Sequence, residues 1–99
     1  MLPAPVSQCV LEFRRRIDGL TYRYYPCKSV SHFASWKRED AELWLVRHDA
    51  LGWVVVDADG EVLSAPWTVP LSQHGSAPPP GIWVSCKADK SYVYDLVYL

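Results

Sequence analysis

Asparagine is missing altogether from the 99 residues, and phenylalanine occurs only twice. With Arg, Ala and Pro all plentiful, this bias reads as a GC-rich genome of bacterial or phage type. No apolar run approaches the length of a bilayer-spanning helix, so no membrane association is expected. The opening "MLPAPVSQCVLEF" has neither a basic n-region nor a long apolar stretch, and is not read as a secretory signal. Three cysteines, an odd number without a CxxC pair, fit free thiols in a reducing cytoplasm. Cys9, Cys27, Cys86, His32, His48 and His74 show no short ligand spacing, so no metal site is expected. "DADGE" (57–61) lacks the third oxygen ligand and the later glutamate of a calcium loop, and hairpin turn chemistry accounts for it. There is no P-loop, dinucleotide fingerprint or nucleophile elbow, and neither a cofactor nor an enzyme is expected. "RHDALG" does set His48 beside Asp49, which leaves a small hydrolase using His48 as one alternative function.

What the chain does have is tyrosine and tryptophan, six and five of them, in a composition that is 49% hydrophobic and 21% charged. These residues join an apolar body to a polar tip and suit half-buried sheet faces and contact surfaces. The length makes one domain, 1–99, burying roughly 60–65% of its unfolded surface. Charge is split. Residues 1–50 hold eight Lys/Arg against six Asp/Glu (+2), and residues 51–99 hold two against five (−3), giving the total of −1. A polarised surface follows, not a strongly basic nucleic-acid binder.

Two-residue alternation dominates the chain. Asp18-Gly19 and Asp59-Gly60 are hairpin signals, because tight turns need positive φ and glycine supplies it. Strands are expected over about 8–17 and 20–27, then at "ELWLVRH", "WVVVDA", "EVLSA", "IWVSCK" and "SYVYDLVYL". Between them "SVSHFASWKREDAEL" loses the alternation, and Ser31 is placed to cap a short helix over roughly 32–40 with Phe33 and Trp36 on one face. Residues 66–81 hold five of the eight prolines and read as a long loop. The expected fold is α+β, mostly β: a small antiparallel sheet of roughly five to seven strands with one short helix.

A two-residue turn at Asp18-Gly19 would pair Ile17 with Leu20, Arg15 with Tyr22, Phe13 with Tyr24 and Leu11 with Pro26 on a mostly apolar side. The opposite side would set Arg14 against Arg23 and Glu12 against Tyr25, with Glu12 able to serve one arginine but not both. Two readings compete for Arg14, Arg16 and Arg23. One is a solvated face paired with Glu39, Asp40 or Glu42. The other is a basic patch beside Tyr25 that meets an acidic protein surface or a phosphate backbone. Further contact candidates are Trp67 and Trp83, flanking the proline-rich loop, and Tyr92, Tyr94 and Tyr98 on one face of the last strand. An open edge there would invite pairing with another chain, a homodimer included. The expected function is non-catalytic binding: a bacterial or phage-encoded inhibitor or adaptor, for example of a host defence complex, acting by protein–protein contact. Nucleic-acid binding by the Arg/Tyr hairpin is the alternative of a different class.

Overall fold

The computed structural model describes residues 9–27, 33–87 and 89–99. Eight strands follow one another: β1 (Leu11–Arg15), β2 (Thr21–Cys27), β3 (Ser35–Arg38), β4 (Leu43–His48), β5 (Gly52–Asp57), β6 (Val62–Ala65), β7 (Gly81–Lys87) and β8 (Lys90–Tyr98). Each pairs antiparallel with the next, and β8 returns to β1 with Leu11 opposite Tyr98 and Phe13 opposite Leu96. The result is a closed eight-stranded antiparallel barrel.

This corrects the expected α+β sheet of five to seven strands with one short helix: the described residues form eight strands in a closed, nearly all-β barrel. Where a helix was expected over 32–40, residues 35–38 form β3; the Ser31 cap and His32 lie outside the described residues. Only four residues long, β3 shows too few alternations to be read as a strand, yet its Trp36 is fully buried and its indole donates to the Cys9 carbonyl at 2.8 Å. The last strand is not an edge either. β8 is paired on both sides, and closure removes the unpaired edge to which another chain would add.

The first hairpin also differs in register. Arg15 and Leu20 flank a four-residue turn, with the Gly19 N–H donating to the Arg15 carbonyl and Leu20 reached through Asp18 Oδ1. Gly19 takes the positive φ of +73°. The carboxylate of Asp18 caps the turn and pairs with Arg15, which is why the loop opens to four residues and leaves Ile17 exposed. Pairing slips by two, an even number, so the faces are kept. Leu11 and Phe13 point inward opposite Tyr24 and Tyr22, and Glu12 faces Arg23.

Interior positions carry most of the large side chains. Leu11, Phe13, Tyr24, Trp36, Leu45, Trp53, Val55, Trp83 and Leu96 form one buried cluster. Phe13 lies edge-on to Tyr24 and Trp83, both at 5.2 Å, which is the favoured geometry for aromatic quadrupoles. Residues 66–80 seal one end of the barrel. Trp53 donates to the Gly75 carbonyl (3.0 Å), Trp83 to Pro79 (2.8 Å) and Tyr98 to Pro78, while Pro66 and Pro78 are fully buried. The long loop is therefore a plug held by the polar tips of core aromatics.

Candidate functional site: the open mouth of the barrel

In an up-and-down barrel alternate hairpins share an end. The β1–β2, β3–β4, β5–β6 and β7–β8 turns lie opposite the plug, and their strand ends surround an open cavity of about 680 Å³. An eight-stranded barrel is just wide enough for its own side chains or one small ligand, and this volume falls in the usual range for ligand sites. The floor is aromatic: Phe13, Tyr22, Tyr24, Tyr94 and, nearer the rim, Tyr92. A bulge in β6 between the Val55–Ser64 and Val56–Val62 pairs turns both Leu63 and Ser64 toward the cavity.

Alternation on β1 and β3 points Arg15 and Arg38 inward at the rim. The Arg38 guanidinium lies 4.0 Å from the Tyr22 ring centre, and that of Arg15 lies 5.9 Å from Tyr22 and 4.9 Å from Tyr92. Each cation is clamped by a turn carboxylate: Arg15 Nε donates to Asp18 Oδ1 at 3.0 Å, and Arg38 Nη2 to Asp40 Oδ2 at 3.2 Å. The two-pronged geometry suits guanidinium and carboxylate alike. These hydrogen bonds hold the Asp18 and Asp40 carboxyls below the ordinary Asp value and raise Arg15 further above its own. Glu42, Asp57 and Glu61 line the facing wall. Burial pushes the Tyr24 phenol well up, against the pull of nearby Arg38. Its hydroxyl makes no hydrogen bond to any described residue.

The residues singled out from sequence are spread over three regions. Tyr92 and Tyr94 belong to the mouth. Trp83 is fully buried and Tyr98 serves the plug, while Trp67 stands 61% exposed on the loop. Arg14, Arg16, Arg23 and Tyr25 lie on the outer wall, where Glu12 divides its carboxylate between Arg14 (2.9 Å) and Arg23 (3.5 Å). Glu12 thus serves both arginines, because the slipped register puts it directly across from Arg23. Asp95 takes Arg16 at 2.8 Å. The acids expected to pair with this face go elsewhere: Asp40 to Arg38, and Glu42 to Lys37 at 3.6 Å.

Sequence reasoning missed Arg38, because a helix reading gave it no facing, and the carboxylates of the far wall. The period-two positions Phe13–Arg15 and Tyr22–Tyr24 were the signal available for the rest. His48 lies outside the cavity lining, its Nδ1 accepting the Ala50 and Leu51 N–H groups of its own turn. Among the described residues no three His, Cys, Asp or Glu side chains gather closely enough to hold a metal ion. No protein-family model matches the chain, and no curated protein or solved structure shows significant similarity to it.

Proposed function

We propose that this is a non-catalytic binding protein whose ligand is a small molecule seated in the mouth of the barrel. The observation that carries the reading is the asymmetry of the two ends. One is plugged by a loop fixed through Trp53, Trp83 and Tyr98, and the other opens on about 680 Å³ of aromatic-floored space. A concave, half-enclosed space lined by aromatic rings and a few polar groups is the usual form of a small-molecule site. Backbone-amide NMR during titration with phenol, benzoate and phenyltrimethylammonium tests it. At least one probe should shift Arg15, Tyr22, Arg38 and Tyr92, and Ser85→Phe, which fills the cavity from β7, should abolish those shifts. Shifts confined to the outer wall, or unchanged in the filled variant, would overturn it.

A second reading, contact with an acidic protein surface as an inhibitor or adaptor would make it, is favoured by one observation. On the outer wall three exposed arginines, Arg14, Arg16 and Arg23, share two carboxylates, Glu12 and Asp95, with Tyr25 alongside. Capture of a protein from nuclease-treated bacterial lysate that is weakened by Arg14→Ala and by Arg23→Ala singly, each of which leaves Glu12 one partner, would support it. Capture that depends on nucleic acid would replace it with phosphate recognition, which weakens steeply with salt.

A further inference from the structure

The mouth carries a charge preference as well as a shape. Resting on the reading of the mouth as the binding site, we propose that it selects organic cations, an ammonium or guanidinium group received by the tyrosine rings and balanced by Asp57 and Glu61. Three observations carry this.

The rings already hold cations. Tyr22 has the Arg38 guanidinium at 4.0 Å and Tyr92 has that of Arg15 at 4.9 Å, so their electron-rich faces are turned to positive charge. The protein's own arginines show which chemistry these rings attract, and a ligand cation would meet the ring surface the arginines leave uncovered, with Tyr94 beside it in the cavity lining.

Each arginine already has its charge balanced by a carboxylate. Arg15 is occupied on Nε and Nη2 by Asp18, and Arg38 likewise by Asp40. An incoming carboxylate or phosphate could reach only the remaining N–H groups of each guanidinium, beside a resident carboxylate that repels it. On the facing wall the balance is reversed. Glu42 is shared with Lys37, but Asp57 and Glu61 have no cationic partner among the described residues. Asp57 spends Oδ1 on the Asp59 and Glu61 N–H groups, which fixes its carboxylate, and keeps Oδ2 unspent.

The deepest polar group fits the same ligand. Tyr24 is 4% exposed, lines the cavity and carries an unpartnered hydroxyl, so its oxygen can accept from an N–H of a primary ammonium or a guanidinium.

The test compares phenyltrimethylammonium, benzylammonium, benzoate and benzyl alcohol by NMR titration against the intact protein and against Asp57→Asn/Glu61→Gln. Both substitutions keep size and one accepting oxygen, which at residue 57 can still take the Asp59 and Glu61 N–H groups, and Glu61 is exposed, so Glu61→Gln alone serves as the variant that leaves the fold undisturbed. The expected result is that both cations bind tighter than benzyl alcohol, and that the double variant weakens them about three- to tenfold while leaving benzyl alcohol unchanged. Tyr24→Phe should weaken benzylammonium and not the trimethylated probe, which has no N–H. Benzoate or benzyl alcohol binding the mouth as tightly as the cations would overturn the charge preference and leave the mouth a binding site. Absence of mouth shifts with all four probes would overturn both readings.

Discussion

The imidazole of His74 occupies the space that a side chain on residue 52 would need. A Cβ built on Gly52 would fall 2.1 Å from His74 Nδ1, and the Gly52 φ is +79°. The close approach lets Nδ1 accept the Trp53 N–H at 3.1 Å while Nε2 donates to the Val69 carbonyl, also at 3.1 Å. One ring thus ties the plug to the start of β5. Gly52→Ala should cost about 2–4 kcal/mol, from left-handed backbone strain and loss of these bonds. For a domain of this size that is a fall in melting temperature of roughly 10–25 °C. His74→Ala alone should cost about 1–3 kcal/mol. Because His74→Ala removes the clash, the double variant should be clearly more stable than the sum of the singles predicts, as denaturant melts will show.

Glu12 gives the second prediction. It is 6% exposed on the outer wall under the two guanidiniums that share it. Either arginine alone can satisfy the carboxylate in part, so Arg14→Ala and Arg23→Ala should each lower the melting temperature only slightly. Together they leave a covered charge unpaired, and the double variant should fall by well over the sum of the singles. Additive, near-zero effects would show that the arginines do nothing for the fold and would strengthen the outer wall as a contact surface.

The same pairs set the acid limit. Hydrogen bonds from Arg14 hold Glu12 below its ordinary 4.5, and those from Arg15, Arg38 and Arg16 hold Asp18, Asp40 and Asp95 below their ordinary 3.8. Carboxyls depressed in the folded state contribute stability that is complete above their ordinary values and is lost as pH falls through the folded ones. The melting temperature should therefore be flat from neutral pH down to about 5 and drop below it. Glu12→Gln should start lower at pH 7 and lose less on acidification. A parallel curve for that variant would remove Glu12 from the account.

Much of this fold was legible because period two is a local signal. Leu11 and Phe13, Tyr22 and Tyr24, and Tyr94, Leu96 and Tyr98 all read as one-sided runs, and all face the interior. Closure was not legible. It depends on β1 meeting β8 at opposite ends of the chain, with Leu11 against Tyr98, and no local pattern encodes that pairing. β3 was lost for want of length, and Arg38 with it. The turn register failed because Asp18-Gly19 can serve a two-residue loop or end a four-residue one, and the choice rests on Arg15 reaching Asp18. Of the mouth, Tyr92 and Tyr94 were in view, but not their company, since the carboxylate wall comes from two other hairpins, β3–β4 and β5–β6.

Trp83 tests the plug. Its ring is fully buried and its indole N–H donates to the Pro79 carbonyl. Trp83→Phe keeps part of the ring volume but strands that carbonyl, and should cost about 2–4 kcal/mol from the lost bond and the cavity together. Hydrogen exchange should then rise at Gln73 and His74, whose N–H groups donate to the Pro70 and Leu71 carbonyls within the loop, by more than it rises in β4 and β5. A uniform rise across the barrel would mean that the loop is not separately held.

The last prediction concerns alkali. Burial pushes the Tyr98 phenol up to about 12 from an ordinary 10.0, and raises Tyr24 further still. Tyr98 is fixed by donating to the Pro78 carbonyl at the plug, and Tyr24 stands in the cavity floor. A phenol raised in the folded state contributes stability that is complete below the ordinary value and is lost as pH climbs through the folded one. Stability should thus fall between about pH 10 and 12. Phenolate absorbance followed together with circular dichroism should show a late step worth two tyrosines that coincides with loss of the barrel. Tyr98→Phe should halve that step, and so should Tyr24→Phe. The two differ at the mouth, since only Tyr24→Phe removes the hydroxyl proposed to receive a ligand N–H. If both phenols ionise with the barrel intact, the plug is looser, and the floor wetter, than the packing around Phe13 and Trp83 implies.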